Sequence, residues 1–393
     1  MTGSAYIRAA FTALFVLCGS ACTRQLPELA PSQVPVPPAD EVESVIYLVG
    51  DAGYADEHRS PILRVLRNDI ERWSGALARD GAVAVLYLGD IVYPEGLRHT
   101  PEHYPKDSAI VQSQVNVVAG PNARRFNSVG YFLAGNHDWG NARDTEGVQR
   151  LMNLQEFLDR RRAEGVEVYL RPDAGEPGPA VADVGSQVRL LLYDTAWWLL
   201  AQDTAPKQQL FRETRELTRT TEGRFLIVAA HHPFQSAGAH AGFVPFWKAF
   251  GLRFLLARSG SIMQDLNSIV YREMRRELLR AFQSRPPLIF AGGHDHSLQI
   301  IANDSFPMPR FSTVSGSGSK LSSLGHMEGM RYRASAPGYM RVVIHNSGRV
   351  DLFVIASPED EIYLSCAGEG LALEECMQSR SSEFTIRYGM RLK

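Results

Sequence analysis

Five short motifs lie in order along a chain of 393 residues: Gly50-Asp51-Ala52-Gly53, Gly89-Asp90-Ile91-Val92-Tyr93, Gly135-Asn136-His137-Asp138, Val228-Ala229-Ala230-His231 and Gly293-His294-Asp295-His296. Within them Asp51, Asp90, Tyr93, Asn136, His231, His294 and His296 offer two carboxylates, a phenol, an amide oxygen and three imidazoles. Hard oxygen donors mixed with imidazole, with no thiolate among them, suit iron, manganese or zinc rather than copper(I). The set is large enough for two adjacent metal ions, so the chain reads as a binuclear metalloenzyme. His137, inside the third motif, and His240, nine residues after His231, add imidazoles able to give a proton near neutral pH.

The competing reading is five unrelated turns, because Asp after Gly commonly bonds nearby backbone groups. The elements that must position the motifs argue against it. Each motif follows an apolar run that reads as a buried strand: Val45 to Val49, Val83 to Leu88, Val129 to Leu133, Phe225 to Val228 and Leu288 to Phe290. Five strand ends would deliver polar side chains to one edge of a sheet, where open α/β folds bind ligands.

Between the strands, Ser60-Pro61 reads as a helix start, with Ile62, Leu63, Leu66, Ile70, Trp73 and Leu77 at helical spacing behind it. Thr145 to Ala163 and Ile269 to Phe282 are further helices, and Val188 to Tyr193 is a strand without metal ligands. Phe311 to Val314, Gly338 to Ile344 and Val350 to Ile355 read as later strands, the last two joined by a turn at Asn346-Ser347-Gly348. Helix and strand alternate early and hairpins follow late. The expected class is α/β, with two packed mixed β-sheets flanked by helices.

Composition sets the outer limits. With 45% hydrophobic residues, 21% charged residues and a net charge of -2, there is ample material for a core and no electrostatic footprint for nucleic acid. Arg8 followed by the apolar stretch Ala9 to Leu17 is too short to span a membrane and right for a secretory leader. Gly19-Ser20-Ala21-Cys22 resembles a bacterial lipoprotein box, with Cys22 as the lipid site, and ordinary signal cleavage is the alternative.

The expected organisation is a leader over 1–22, a proline-rich tether over 23–43, a catalytic domain over 44–356 with an insertion at about 242–266, and a C-terminal extension over 357–393. Such a protein would be exported to a bacterial envelope or periplasm and tethered to the membrane through Cys22. Cys366 and Cys376 would then be either a short-loop disulfide or two free thiols. The aromatic run Phe243, Phe246, Trp247, Phe250 and Phe254 reads as core or a cover over the site, with membrane contact as the alternative. The sequence indicates no oligomeric state.

The motifs resemble those of the calcineurin-like metallophosphoesterase superfamily, and within it the purple acid phosphatases of tartrate-resistant type. Tyr93 in Gly-Asp-x-x-Tyr carries the distinction, with Gly53 where many other members place a metal-binding histidine. His240, Pro233 and the Asp194-Thr195 step also fit the pattern. Ile91, where relatives commonly have asparagine, and the long segment from Gly242 to Leu266 depart from it.

The resemblance implies that Asp51, Asp90, Tyr93 and His296 hold one metal and Asp90, Asn136, His231 and His294 the other, with Asp90 bridging. It implies Fe(III) beside a divalent Fe, Zn or Mn, and hydrolysis of phosphate monoesters of small molecules by a metal-held hydroxide. His240 or His137 would be the proton donor. Asp138 would orient His137 or face solvent. A phosphodiesterase or nucleotide hydrolase on the same site, and a non-catalytic envelope binding protein, are the alternative readings.

Overall fold

Strands covered on both faces read as unbroken apolar runs, and the first motif strand is of this kind: every residue of β1 (Val42–Val49) is buried. The computed structural model describes residues 34–54, 61–77, 82–119, 128–141, 144–201, 204–221, 223–241, 264–357 and 384–393. The leader, all four cysteines and the aromatic run from Phe243 to Phe254 lie outside them.

Beyond β1 the described strands are β2 (Val83–Tyr87), β3 (Ser128–Phe132), β4 (Val168–Leu170), β5 (Ala180–Val184), β6 (Val188–Tyr193), β7 (Phe225–Ala230), β8 (Ile289–Gly292), β9 (Leu298–Ala302), β10 (Phe311–Ser315), β11 (Met330–Ala334), β12 (Gly338–His345), β13 (Val350–Ala356) and β14 (Thr385–Arg391). They form two seven-stranded sheets, ordered β14-β13-β12-β1-β2-β3-β4 and β11-β9-β10-β8-β7-β6-β5. β1 to β4 run parallel, as do β6, β7, β8 and β10. The remaining pairings are antiparallel.

The period-two alternation of side chains along each strand sorts the core into layers. Ile46, Leu48, Ala84, Leu86, Val342 and Val354 from the first sheet meet Leu190, Ile227, Ala229, Ile289 and Ile300 from the second. Val45, Tyr47, Val49, Val85 and Tyr87 point the other way, onto α1 (Pro61–Ala76), α2 (Tyr104–Ala119) and α3 (Thr145–Ala163). The outer face of the second sheet, with Leu191, Tyr193, Val228 and Phe290, is covered by α4 (Thr195–Leu200), α5 (Thr204–Arg219) and α6 (Ile269–Ala281). The result is a helix, sheet, sheet, helix sandwich, the class expected from the alternation of elements.

One buried charge pair ties α1 to the first sheet. Arg341 on β12 is 3% exposed, and its Nη1 donates to both Asp69 oxygens at 2.7 Å; the Tyr339 hydroxyl donates to Asp69 Oδ2 at 3.1 Å. Removing one member leaves the other charge buried and uncompensated. Asp69→Ala is therefore expected to lower unfolding free energy by about 3–5 kcal/mol in denaturant melts, whereas Asp69→Leu with Arg341→Met should recover most of it.

Candidate metal centre

All five motifs place their polar residues just past the end of a parallel strand, so the topology sets them along one edge shared by both sheets. Backbone bonds lock that edge together: Gly50 N–H donates to Ser315 O at 2.7 Å, Asp51 N–H to Gly89 O at 3.0 Å and Gly293 N–H to His231 O at 2.8 Å. The turns are tight. Asp51, Asp90 and His294 have φ of 59°, 54° and 65°, and with Asn141 they are the non-glycine residues with positive φ among those described. Such backbone costs on the order of 1–3 kcal/mol each and clusters at functional sites.

Two glycines permit the close approach. A Cβ at Gly53 would lie 2.6 Å from Asp90 O and 2.8 Å from the Tyr93 ring, and one at Gly135 would lie 2.2 Å from Asp90 Oδ1. Gly53 is thus the space into which Tyr93 packs.

The seven candidate ligands are brought together as two triangles of donor atoms. In one, His231 Nε2 and Asn136 Oδ1 are 2.9 Å apart. His294 Nδ1 lies 3.1 Å from that amide oxygen and 3.2 Å from that nitrogen. In the other, the Tyr93 hydroxyl is 3.1 Å from Asp51 Oδ1 and 3.3 Å from His296 Nε2, with His296 and Asp51 separated by 3.5 Å. Asp90 adjoins both: its Oδ1 is 3.5 Å from His231 Nε2, and its carboxylate hydrogen-bonds with Tyr93. Donors held about 2.0–2.2 Å from one ion are themselves spaced near 3 Å, the spacing of both triangles.

The chemistry of these atoms favours a cation between them. His231 Nδ1 donates to the Leu88 carbonyl at 2.8 Å, which leaves Nε2 a bare acceptor when the ring is neutral. Burial holds this imidazole below its ordinary pKa. The amide nitrogen of Asn136 donates to Asn141 Oδ1 at 2.7 Å, so its oxygen faces His231. Two acceptors facing each other at 2.9 Å repel unless a positive ion lies between their lone pairs.

Burial and the nearby Asp90 charge push the Asp51 carboxyl well up, while Asp90, despite its own burial, is held low by His231 and His137. Burial pushes His294 well down, and burial with Lys320 pushes His296 to about 3. Neutral imidazoles beside crowded carboxylates make a ligand set ready for metal. His294 Nε2 is buried without a hydrogen-bond partner. Two groups of acid and imidazole side chains converge closely enough to hold an ion: Asp51, Asp90 and His231, and His231, His232 and His294.

The proton-donor candidates flank this cluster. His137 donates from Nδ1 to Pro94 O at 2.6 Å, and its ring meets Tyr93 edge-on at 4.6 Å. His240, on the single turn Ala239–Ala241, lies over the His294 ring with centroids 4.0 Å apart. Its backbone N–H donates to Asp295 Oδ1 at 2.9 Å.

Asp138 neither orients His137 nor faces solvent, which corrects the expectation drawn from its place in the motif. Its carboxylate turns inward and accepts from Gly135 N at 2.8 Å, Ile91 N at 3.0 Å and Val92 N at 3.1 Å. It ties the second and third motif loops together, and burial with Asp90 pushes its pKa up to about 8. The Pro94 carbonyl, not a carboxylate, holds His137.

Lys320 and Asp265, which motif reading passed over, complete the site together with Thr195 of the Asp194-Thr195 step. Lys320 Nζ sits 3.4 Å from the Tyr93 ring centroid, a half-buried cation at the mouth. It is placed by the Gly-Ser loop, where Gly318 N–H donates to Gly50 O at 3.0 Å and the Ser319 hydroxyl donates to Asp51 O at 2.5 Å. Thr195 Oγ1 contacts His232 Nδ1 at 3.0 Å and fixes that ring against His294. Asp265 Oδ1 lies 3.2 Å from His240 Nδ1. No spacing rule links Lys320 or Asp265 to a motif, because each arrives from a separate loop.

No family model matches the sequence, and no curated protein matches it. Among solved structures the chain is similar to purple acid phosphatase PPD1 from yellow lupin (Lupinus luteus) seeds, with a TM-score of 0.53 and 14% identity, covering 90% of this chain and 54% of that one. It is also similar to GAP50, the anchor in the inner membrane complex of Plasmodium, with a TM-score of 0.49 and 15% identity, covering 81% of this chain and 86% of that one. The chain spans about half the length of the lupin protein. That likeness shows the fold, a phosphatase-like α/β sandwich of two mixed sheets.

Proposed function

We propose that this chain is an exported, two-metal phosphoesterase that hydrolyses phosphate monoesters of small molecules. The observation that carries the reading is the pair of donor triangles sharing Asp90 at one sheet edge, on a fold similar to a phosphatase. Asp51, Asp90, Tyr93 and His296 would hold one ion and Asp90, Asn136, His231 and His294 the other. Bound as a phenolate, the Tyr93 oxygen would favour Fe(III) in the first site, and the second suits a divalent Fe, Zn or Mn. Two ions bound here would neutralise the phosphoryl oxygens and acidify a water.

The chain's own residues do the rest. Lys320 adds a fixed positive charge at the mouth, where an anionic ester must enter. His240 lies beside the triangle that contains His294 and would give its Nε2 proton to the ester oxygen as the P–O bond breaks, so that the leaving group departs as an alcohol. Export and attachment through Cys22 rest on the leader sequence. No helix among the described residues is long and apolar enough to cross a membrane.

The test is metal analysis of purified protein together with a panel of aryl and alkyl phosphates between about pH 4 and 9. Two metals per chain and faster cleavage of mono-aryl than bis-aryl phosphate are expected. Protein carrying two metals that cleaves no aryl phosphate would end the proposal, and faster diester cleavage would reassign the substrate.

A further inference from the structure

Asp265 stands 25 residues beyond His240, on the stretch that leads into α6. It is a carboxylate only 2% exposed, and burying an ionised carboxylate is costly unless it is paired and hydrogen-bonded. Among the described residues its side-chain partner is His240, through Oδ1 to Nδ1 at 3.2 Å. The backbone holds the two segments in register: Leu266 N–H donates to His240 O at 3.0 Å, and the Asn267 amide donates to Ala241 O at 3.1 Å. Asp265 is itself anchored, since its carbonyl accepts from Ser268 N at 2.8 Å and Ser268 caps α6 by accepting from Tyr271 N.

His240 is therefore held at three points, its backbone N–H by Asp295 and its ring by the His294 face and by Asp265 at Nδ1. A carboxylate only accepts, so this contact keeps a proton on Nδ1 and leaves Nε2 as the nitrogen that can exchange one. Resting on the phosphoesterase reading, we infer that Asp265 is a positioning residue: it fixes the ring and tautomer of His240 so that Nε2, and not Nδ1, faces the departing ester oxygen. In the step itself the imidazolium gives its Nε2 proton to that oxygen as the P–O bond breaks. The ring returns to the neutral form with its remaining proton still on Nδ1, donated in a hydrogen bond to Asp265 Oδ1.

Two esters separate this role from a structural one. An alkyl phosphate needs a proton on its leaving oxygen, and p-nitrophenyl phosphate hardly does. Asp265→Ala is expected to lower kcat on the alkyl ester by about 10–100-fold, with less than about threefold change on the p-nitrophenyl ester and with metal content and KM unchanged. Asp265→Asn keeps an oxygen acceptor for Nδ1–H and should stay within about threefold of wild type on both. Asp265→Ala combined with His240→Ala should be no slower than His240→Ala alone.

Equal slowing of both esters, no slowing of either, Asn as damaging as Ala, or additive losses would each overturn the inference. Should Asp265→Ala fail to fold, imidazole nitrogen NMR of the zinc-loaded wild type decides. Neutral His240 protonated on Nδ1 supports the inference, and protonation on Nε2 overturns it. A wild type inactive on both esters would instead strike the phosphoesterase reading, a different failure from any of these.

Discussion

Asp90→Asn is expected to empty both metal sites and to cut kcat/KM on aryl phosphates by at least about 10³–10⁴-fold, equivalent to about 4–5.5 kcal/mol of lost transition-state stabilisation. The substitution isolates charge. Asn tolerates the left-handed backbone that Asp90 adopts at φ 54°, and it keeps an oxygen for the His137 N–H that Asp90 Oδ1 accepts at 3.0 Å. What it removes is the one anion touching both triangles, next to His231 in one and Tyr93 in the other. Each ion would then face one negative charge fewer, and the spacing between the ions would lose its common ligand.

The same change gives a signature that a simple folding defect would not. Burial and the Asp90 charge together raise Asp51, so without cations the Asp90 charge makes an ionised Asp51 costlier to bury. Chelator-treated Asp90→Asn should melt at or above chelated wild type, while metal-supplemented wild type gains about 4 kcal/mol at a thousandfold excess over Kd and the variant gains little. Plasma emission spectroscopy and thermal melts with and without chelator check both halves. A variant that retains two metals per chain would remove Asp90 from the ligand set.

How much of this could be read from residues alone depends on how each element buries its side chains. Thr145–Ala163 and Val188–Tyr193 have the bounds that periodicity gives them. The parallel strands also stand where the apolar runs place them, with ends that differ by one to three residues. The helix Tyr104–Ala119 is invisible to that reading because its inward face carries Asp107, Ser113 and Gln114. Gln114 reaches the Ile91 carbonyl at 2.8 Å, and Asp107 pairs with Arg98 at 2.9 Å. Polar side chains that spend their hydrogen bonds on loops break the apolar stripe that betrays a helix. β11 hides similarly, with Arg331 and Arg333 on a strand at the sheet edge.

The candidate site divides along the same line. Ligands that follow strands share a local pattern of glycine, a polar residue and an apolar run. Asp138 shows the limit of that pattern: standing next to His137 in sequence, it faces the loop amides because a tight turn sends neighbours to opposite sides. Lys320, Thr195 and Asp265 reach the site across sequence separations that only the packed sheets close.

His240→Ala should divide substrates by leaving group. On an alkyl phosphate kcat is expected to fall by about 10²–10³-fold, the range that a positioned general acid supplies, while p-nitrophenyl phosphate should lose less than about threefold. His137 is the rival, and its surroundings decide against it. The Pro94 carbonyl holds its Nδ1 and its ring meets Tyr93 edge-on, whereas His240 lies against the His294 ring with Asp265 at Nδ1 to fix it, which leaves Nε2 for the departing oxygen. His137 also hands its backbone N–H to Asp90, so His137→Ala keeps that bond and should slow both esters alike. Rates for the two variants on the two esters give a ratio for each histidine. A large ratio for His137 and a ratio near one for His240 would exchange their roles, and a ratio near one for both would take the proton from neither side chain.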